Sequence, residues 1–207
     1  MTESRDDTAD IAWMRRLAEE GGQAPMRGAA ILMAAGLIYG TAALLHWCIA
    51  AGLFTVPAVA FNTLWLVATV AFLIVVTVVS LRLRDRGGVH TTANRGASAA
   101  WSAVGWGIFA LFTSLAVIGS RSGDAAAVAM LLGIVPSIIM VFYGLGWSVT
   151  ATLQKSRPLG VLAVASFLAA PVLALMAGMT VQYLAYGIAL FGLMALPGFL
   201  LMRTAKA

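Results

Sequence analysis

Apolar positions fill four long runs of this chain that contain no Asp, Glu, Lys or Arg: Gly28–Leu81, Gly96–Ser120, Ala125–Gln154 and Leu159–Met202. A helix crossing a bilayer needs about 20 mostly apolar residues. The first and last runs are each long enough for two such helices, and the middle two for one each. The pattern therefore predicts an all-α, polytopic membrane protein: a six-transmembrane-helix bundle with spans at about 28–51, 57–81, 98–119, 125–153, 159–177 and 180–202. Residues 1–27 form a tail before it and residues 203–207 a short end after it. Span two holds fourteen Val, Ile, Leu or Phe residues, which contribute about −4 to −8 kcal/mol to insertion. Span three has only eight, diluted by Gly, Ser and Trp, and is expected to lean on its neighbours.

The tail carries a second pattern. At 100° per residue, Ile11, Trp13, Met14, Leu17 and Ala18 fill one arc, while Arg15, Arg16, Glu19 and Glu20 fill the other. Asp10 suits an N-cap, Arg15–Glu19 and Arg16–Glu20 are i,i+4 pairs, and Gly21-Gly22 supply a stop. The expectation is a short amphipathic interfacial helix over about 10–20. Its apolar residues Ile11, Trp13, Met14 and Leu17 would lie in the cytoplasmic membrane surface or pack on the chain's own connections.

Charge placement orients the spans. Of thirteen Lys and Arg, all but Arg121 fall in the N-terminal tail, the second and fourth connections, or the C-terminus. The positive-inside rule makes those segments cytoplasmic, which places both termini inside. The net charge of +5 reads as topology anchors at the ends of apolar runs, not as a nucleic-acid surface. At 207 residues and 61% hydrophobic, there is no room for a soluble domain. Eleven Arg against two Lys, with abundant Ala and Gly, hint at a GC-rich bacterial genome and hence an inner membrane.

Lipid gives helices no hydrophobic reason to associate, so close approach over small residues is what a bundle requires. Three spans carry such stripes: Gly36 and Gly40 with Ala43 in span one; Ser98, Ser102, Gly105 and Ala116 in span three; Gly133, Ser137, Gly144, Ser148 and Ala151 in span four. Gly36, Gly40, Gly105, Gly133, Ser137, Gly144 and Ser148 are the helix-packing candidates. Pro136 and Pro171 fall inside spans four and five and should bend them. His46 with Trp47, and Gln182, Tyr183 and Tyr186 at the start of span six, read as amphipathic anchors at headgroup level.

Catalytic patterns are missing. No Asp, Glu, Lys or Arg falls in a membrane core, His46 and Cys48 point to nearly opposite faces of span one, and the string Gly144-Leu145-Gly146-Trp147-Ser148 is not a Gly-x-Ser-Gly nucleophile motif. One cysteine, Cys48, makes neither a CxxC pair nor a thiolate metal site. The sequence thus leads us to expect no enzyme, no cofactor and no metal. Two function classes remain. One is a non-catalytic accessory or regulatory membrane subunit, whose partners would be the lipid bilayer and another membrane protein or a second copy. The alternative is a carrier or channel for a small neutral or lipophilic solute, along a path lined by Thr41, Asn62, Thr63, Ser102, Thr113 and Ser137. The topology has a direct check: Cys48 should be reachable by a membrane-impermeant thiol reagent only from outside. A reporter fused after Ala207 that proves periplasmic would contradict the orientation.

Overall fold

Helix ends follow local chemistry in the computed structural model, which describes residues 28–57, 59–85 and 92–204. Its elements are α1 (Ala29–Ala50), α2 (Val59–Asp85), α3 (Thr92–Ser122), α4 (Ala125–Leu153), α5 (Arg157–Leu175), α6 (Val181–Leu190), a π-helical segment (Phe191–Ala195) and α7 (Leu196–Thr204). No strand occurs among the described residues. The Asp124 carboxylate starts α4 by accepting the backbone N–H groups of Ala126 at 2.9 Å and Ala127 at 3.2 Å, which answers two of the orphan donors of a helix start. Pro158 sits in the first turn of α5, where no intrahelical N–H is needed. Gly123 (φ 58°) and Gly178 (φ 81°) make the tight connections before α4 and before α6, a backbone region that side chains disfavour.

Among the described residues, six stretches are long and apolar enough to cross a membrane: Ala29–Ala50, Val59–Arg82, Ala93–Ser122, Ala125–Leu153, Arg157–Leu175 and Val181–Arg203. Their number is the one the apolar runs predict. The third is longer than predicted, and the sixth is not one regular helix but α6, the π-segment and α7 in series. The interfacial helix expected over 10–20, with Ile11, Trp13, Met14 and Leu17, lies outside the described residues.

Two groups of helices make the bundle. α1 is the hub of one, with α2, α6, the π-segment and α7 against it; α4 is the hub of the other, with α3 and α5 against it. Only 6% of the α2 and α3 spans is buried, against 28–39% of the other four. α2 and α3 are therefore the outer edges, although they follow each other in the chain. The end of the bundle that carries connections 51–58, 123–124 and 176–180 is called distal below.

Small residues decide how close the hubs come to their neighbours. A Cβ on Gly36 would meet the backbone of Ala195, with the Ala195 Cα at 2.8 Å. A Cβ on Gly40 would touch the Phe191 ring at 3.0 Å, one on Gly144 the Phe167 ring at 2.6 Å, and one on Gly146 the Trp101 ring at 3.1 Å. Gly133 is buried but less tight, its nearest neighbour being the Gly178 nitrogen at 3.6 Å. Gly105 differs from the expectation: it is exposed, with nothing within 4 Å of a Cβ, and so takes no part in contacts within this chain. Three alanine substitutions should therefore rank. Gly36→Ala should destabilise most, by about 1–3 kcal/mol, because backbone must move. Gly144→Ala should cost less, because the half-exposed Phe167 ring can swing aside. Gly105→Ala should be neutral or slightly stabilising, since Ala gains up to about 1 kcal/mol over Gly in a helix. Thermal unfolding in mild detergent tests the order; equal tolerance of Gly36→Ala and Gly105→Ala would contradict it.

Candidate functional site

Serine and threonine hydroxyls in the spans mostly satisfy themselves. Thr63 donates to the Val59 carbonyl (3.1 Å), Thr113 to Phe109 (2.9 Å) and Ser166 to Leu162 (2.8 Å), each one turn back along its own helix. The residues of the supposed solute path do not converge. Thr41, Asn62, Thr63, Ser102 and Thr113 are exposed on three different helices, and the Ser137 hydroxyl is used in a bond to the Ala170 carbonyl at 2.7 Å. That bond joins the residue after Pro136 to the residue before Pro171, so the two prolines meet at one α4–α5 contact. Ser148 is half-buried on α4.

The two helix groups are tied by side chains that reach backbone carbonyls. Trp147, fully buried in α4, donates its indole N–H to the Leu193 carbonyl at 3.1 Å. Leu193 lies in the π-segment, where the Leu196 N–H reaches back five residues to Phe191. Pro197, four residues after Leu193, has no N–H to offer it. The carbonyl thus lacks an i+4 donor, and the indole donates to it. On the same α4 face, the Trp101 indole donates to the Thr150 hydroxyl at 3.0 Å, which donates on to the Gly146 carbonyl at 2.7 Å.

Gln182 makes the second tie. It was expected at the membrane interface, but it is 1% exposed. Its amide nitrogen donates to the Gly133 carbonyl of α4 at 2.6 Å and to the Leu173 carbonyl of α5 at 3.1 Å. Leu173 is in the last turn of α5, and its carbonyl also accepts the Met176 N–H at 3.2 Å. Tyr186, also expected at the interface, is buried as well.

At the distal end, His46 pairs across helices instead of with Trp47. Its Nδ1 accepts the Trp65 indole N–H at 3.0 Å, which leaves the ring's proton on Nε2. Its ring stacks on Tyr183 at 3.6 Å between centroids, with Phe61 at 4.7 Å on another side. Beside this stack is an open recess of about 230 Å³, lined by Ala50, Ala129, Gly133, Gly178, Met179, Thr180, Gln182 and Tyr183. Among the described residues no group of three His, Cys, Asp or Glu is placed to hold a metal ion. Cys48 is a half-buried free thiol near the same end.

At the recess, the His46–Tyr183 stack and Gln182, polar groups of several helices converge on accessible space. Sequence reasoning named His46, Gln182 and Tyr183 but did not join them; it missed Trp65, Trp147 and Pro197. The spacing of Leu193 and Pro197 was the available signal for a freed carbonyl. No family model, curated protein or solved structure matches the chain.

Proposed function

We propose that this protein is a non-catalytic accessory or regulatory subunit of a bacterial inner membrane, with both termini cytoplasmic, that associates with a membrane partner or a second copy through α3. The observation that carries this reading is the outward face of α3. Ser98, Ser102, Gly105, Phe109, Thr113, Ala116 and Ser120 fall within about 80° of arc at 3.6 residues per turn, and every one is exposed. The inward face, with Trp101, Val104, Ile108, Leu111 and Leu115, is spent on the bundle core. Trp106, Phe109 and Phe112 are exposed on or beside this strip, but its small residues let another helix backbone come close, which is how membrane helices associate. The bias of basic residues supports the orientation. The carrier reading has less support, because its polar residues lie on separate exposed faces.

Native-nanodisc purification followed by mass spectrometry and cross-linking tests the proposal. A stoichiometric membrane protein or a dimer is expected. Gly105→Leu should abolish it without lowering the thermal stability of the chain, because a Cβ there meets open space. Leu66→Ala, on the exposed side of α2, should leave it intact. A chain recovered alone, or an association that survives Gly105→Leu, would count against the reading.

A further inference from the structure

The Gln182 amide is held in one orientation. Two backbone carbonyls, of Gly133 and Leu173, face its nitrogen, and only an NH2 group can answer both. Its Oε1 is therefore fixed on the other side, and among the described residues nothing donates a hydrogen bond to it. Gln182 also lines the distal recess. A side chain that is 1% exposed thus presents an unpartnered acceptor to a space that Ala50, Ala129, Gly133 and Gly178 keep open by being small.

We propose that this recess binds a small neutral amphiphile whose hydroxyl donates to Gln182 Oε1 and whose apolar body lies against Ala50, Ala129 and the Tyr183 ring. The size suits a single ring with a short substituent: an apolar cavity of about 150 Å³ takes up benzene, and this one holds about 230 Å³. The charge state follows from the lining, which has no ionisable acid or base besides the Tyr183 phenol. An anion would face an acceptor oxygen. A cation would find no carboxylate in the lining. Tyr183 is braced from behind by the His46 ring, so its ring is a fixed wall and need not be ordered when the ligand arrives. A free phenol or alcohol and the hydroxyl of a diacylglycerol share this chemistry.

The test uses the full chain in phosphatidylcholine nanodiscs with its four tyrosines replaced by 3-fluorotyrosine, the Tyr183 resonance being assigned by its loss in Tyr183→Phe. Phenol should shift that resonance saturably while those of Tyr39 and Tyr143 stay put. Anisole, which has the ring but no donor, should bind at least 10-fold more weakly. Ala129→Leu fills the recess from an exposed position; it should weaken phenol at least 10-fold with an unchanged unfolding temperature. Dioctanoylglycerol is titrated in parallel, and saturable binding of it alone, lost in Ala129→Leu, assigns the site to a lipid hydroxyl. An equal, non-saturating drift of all four signals with both probes, equal binding of anisole and phenol, or an affinity untouched by Ala129→Leu would each overturn the proposal.

Discussion

A carbonyl that loses its helical N–H inside a bilayer must find another donor, because no water is there to supply one. This chain places prolines in spans four, five and six, and the ties between its helices gather around them. The Leu193 carbonyl, deprived of a donor by Pro197, takes the Trp147 indole. Ser137, beside Pro136, donates to the carbonyl just before Pro171. Gln182 answers a carbonyl in the α5 last turn together with one in α4. Each tie runs between helices and so fixes helix positions, and at Leu193 it also supplies a donor that Pro197 withholds.

The magnitudes assign separate tasks to these ties and to the close contacts. Side-chain hydrogen bonds between membrane helices are worth about 0.6 kcal/mol on average and seldom more than about 1.7. The four bonds in these three ties cannot hold a six-span bundle together by themselves. Cohesion comes from the many contacts made where Gly36, Gly40, Gly144 and Gly146 let neighbours approach. The bonds instead select one register, since a slide of α6 along α4 would leave both Gln182 and Trp147 without acceptors in a dry interior. Spans two and three are tied in by Trp65 to His46 and by Trp101 to Thr150 and against Gly146, but only 6% of each is buried, and they lie at the edges. That leaves the α3 outer face free, and the fixed Gln182 amide leaves its oxygen turned toward the distal recess.

The number of spans and most of their limits were legible because charge exclusion and length are properties of the chain itself. So was the role of Gly36, whose Gly-x-x-x-Gly spacing with Gly40 marks a close approach. Which way a membrane helix faces was not legible, because lipid and protein interior are both apolar and the usual hydrophobic–polar contrast is absent. Gly105 and Gly144 belong to similar stripes, yet one faces outward and the other meets Phe167. Gln182 looked like an interface anchor because it opens span six; its burial depends on α4 and α5 bringing carbonyls to it from 49 and 9 residues away. The π-segment was hidden for a related reason. Pro197 signals a missing N–H, but only the position of Trp147 tells how the freed carbonyl is answered.

The coupling between Trp147 and Pro197 tests that account most directly. Trp147→Phe, Pro197→Ala and the double variant are compared for unfolding free energy in the same bilayer or detergent. Pro197→Ala restores an N–H that can serve the Leu193 carbonyl from within its own helix, so the indole should matter less in that background. The account predicts that Trp147→Phe costs about 1 kcal/mol less when residue 197 is alanine than when it is proline. Costs that add to within about 0.3 kcal/mol would show that the indole is not there to satisfy the carbonyl, and would contradict it.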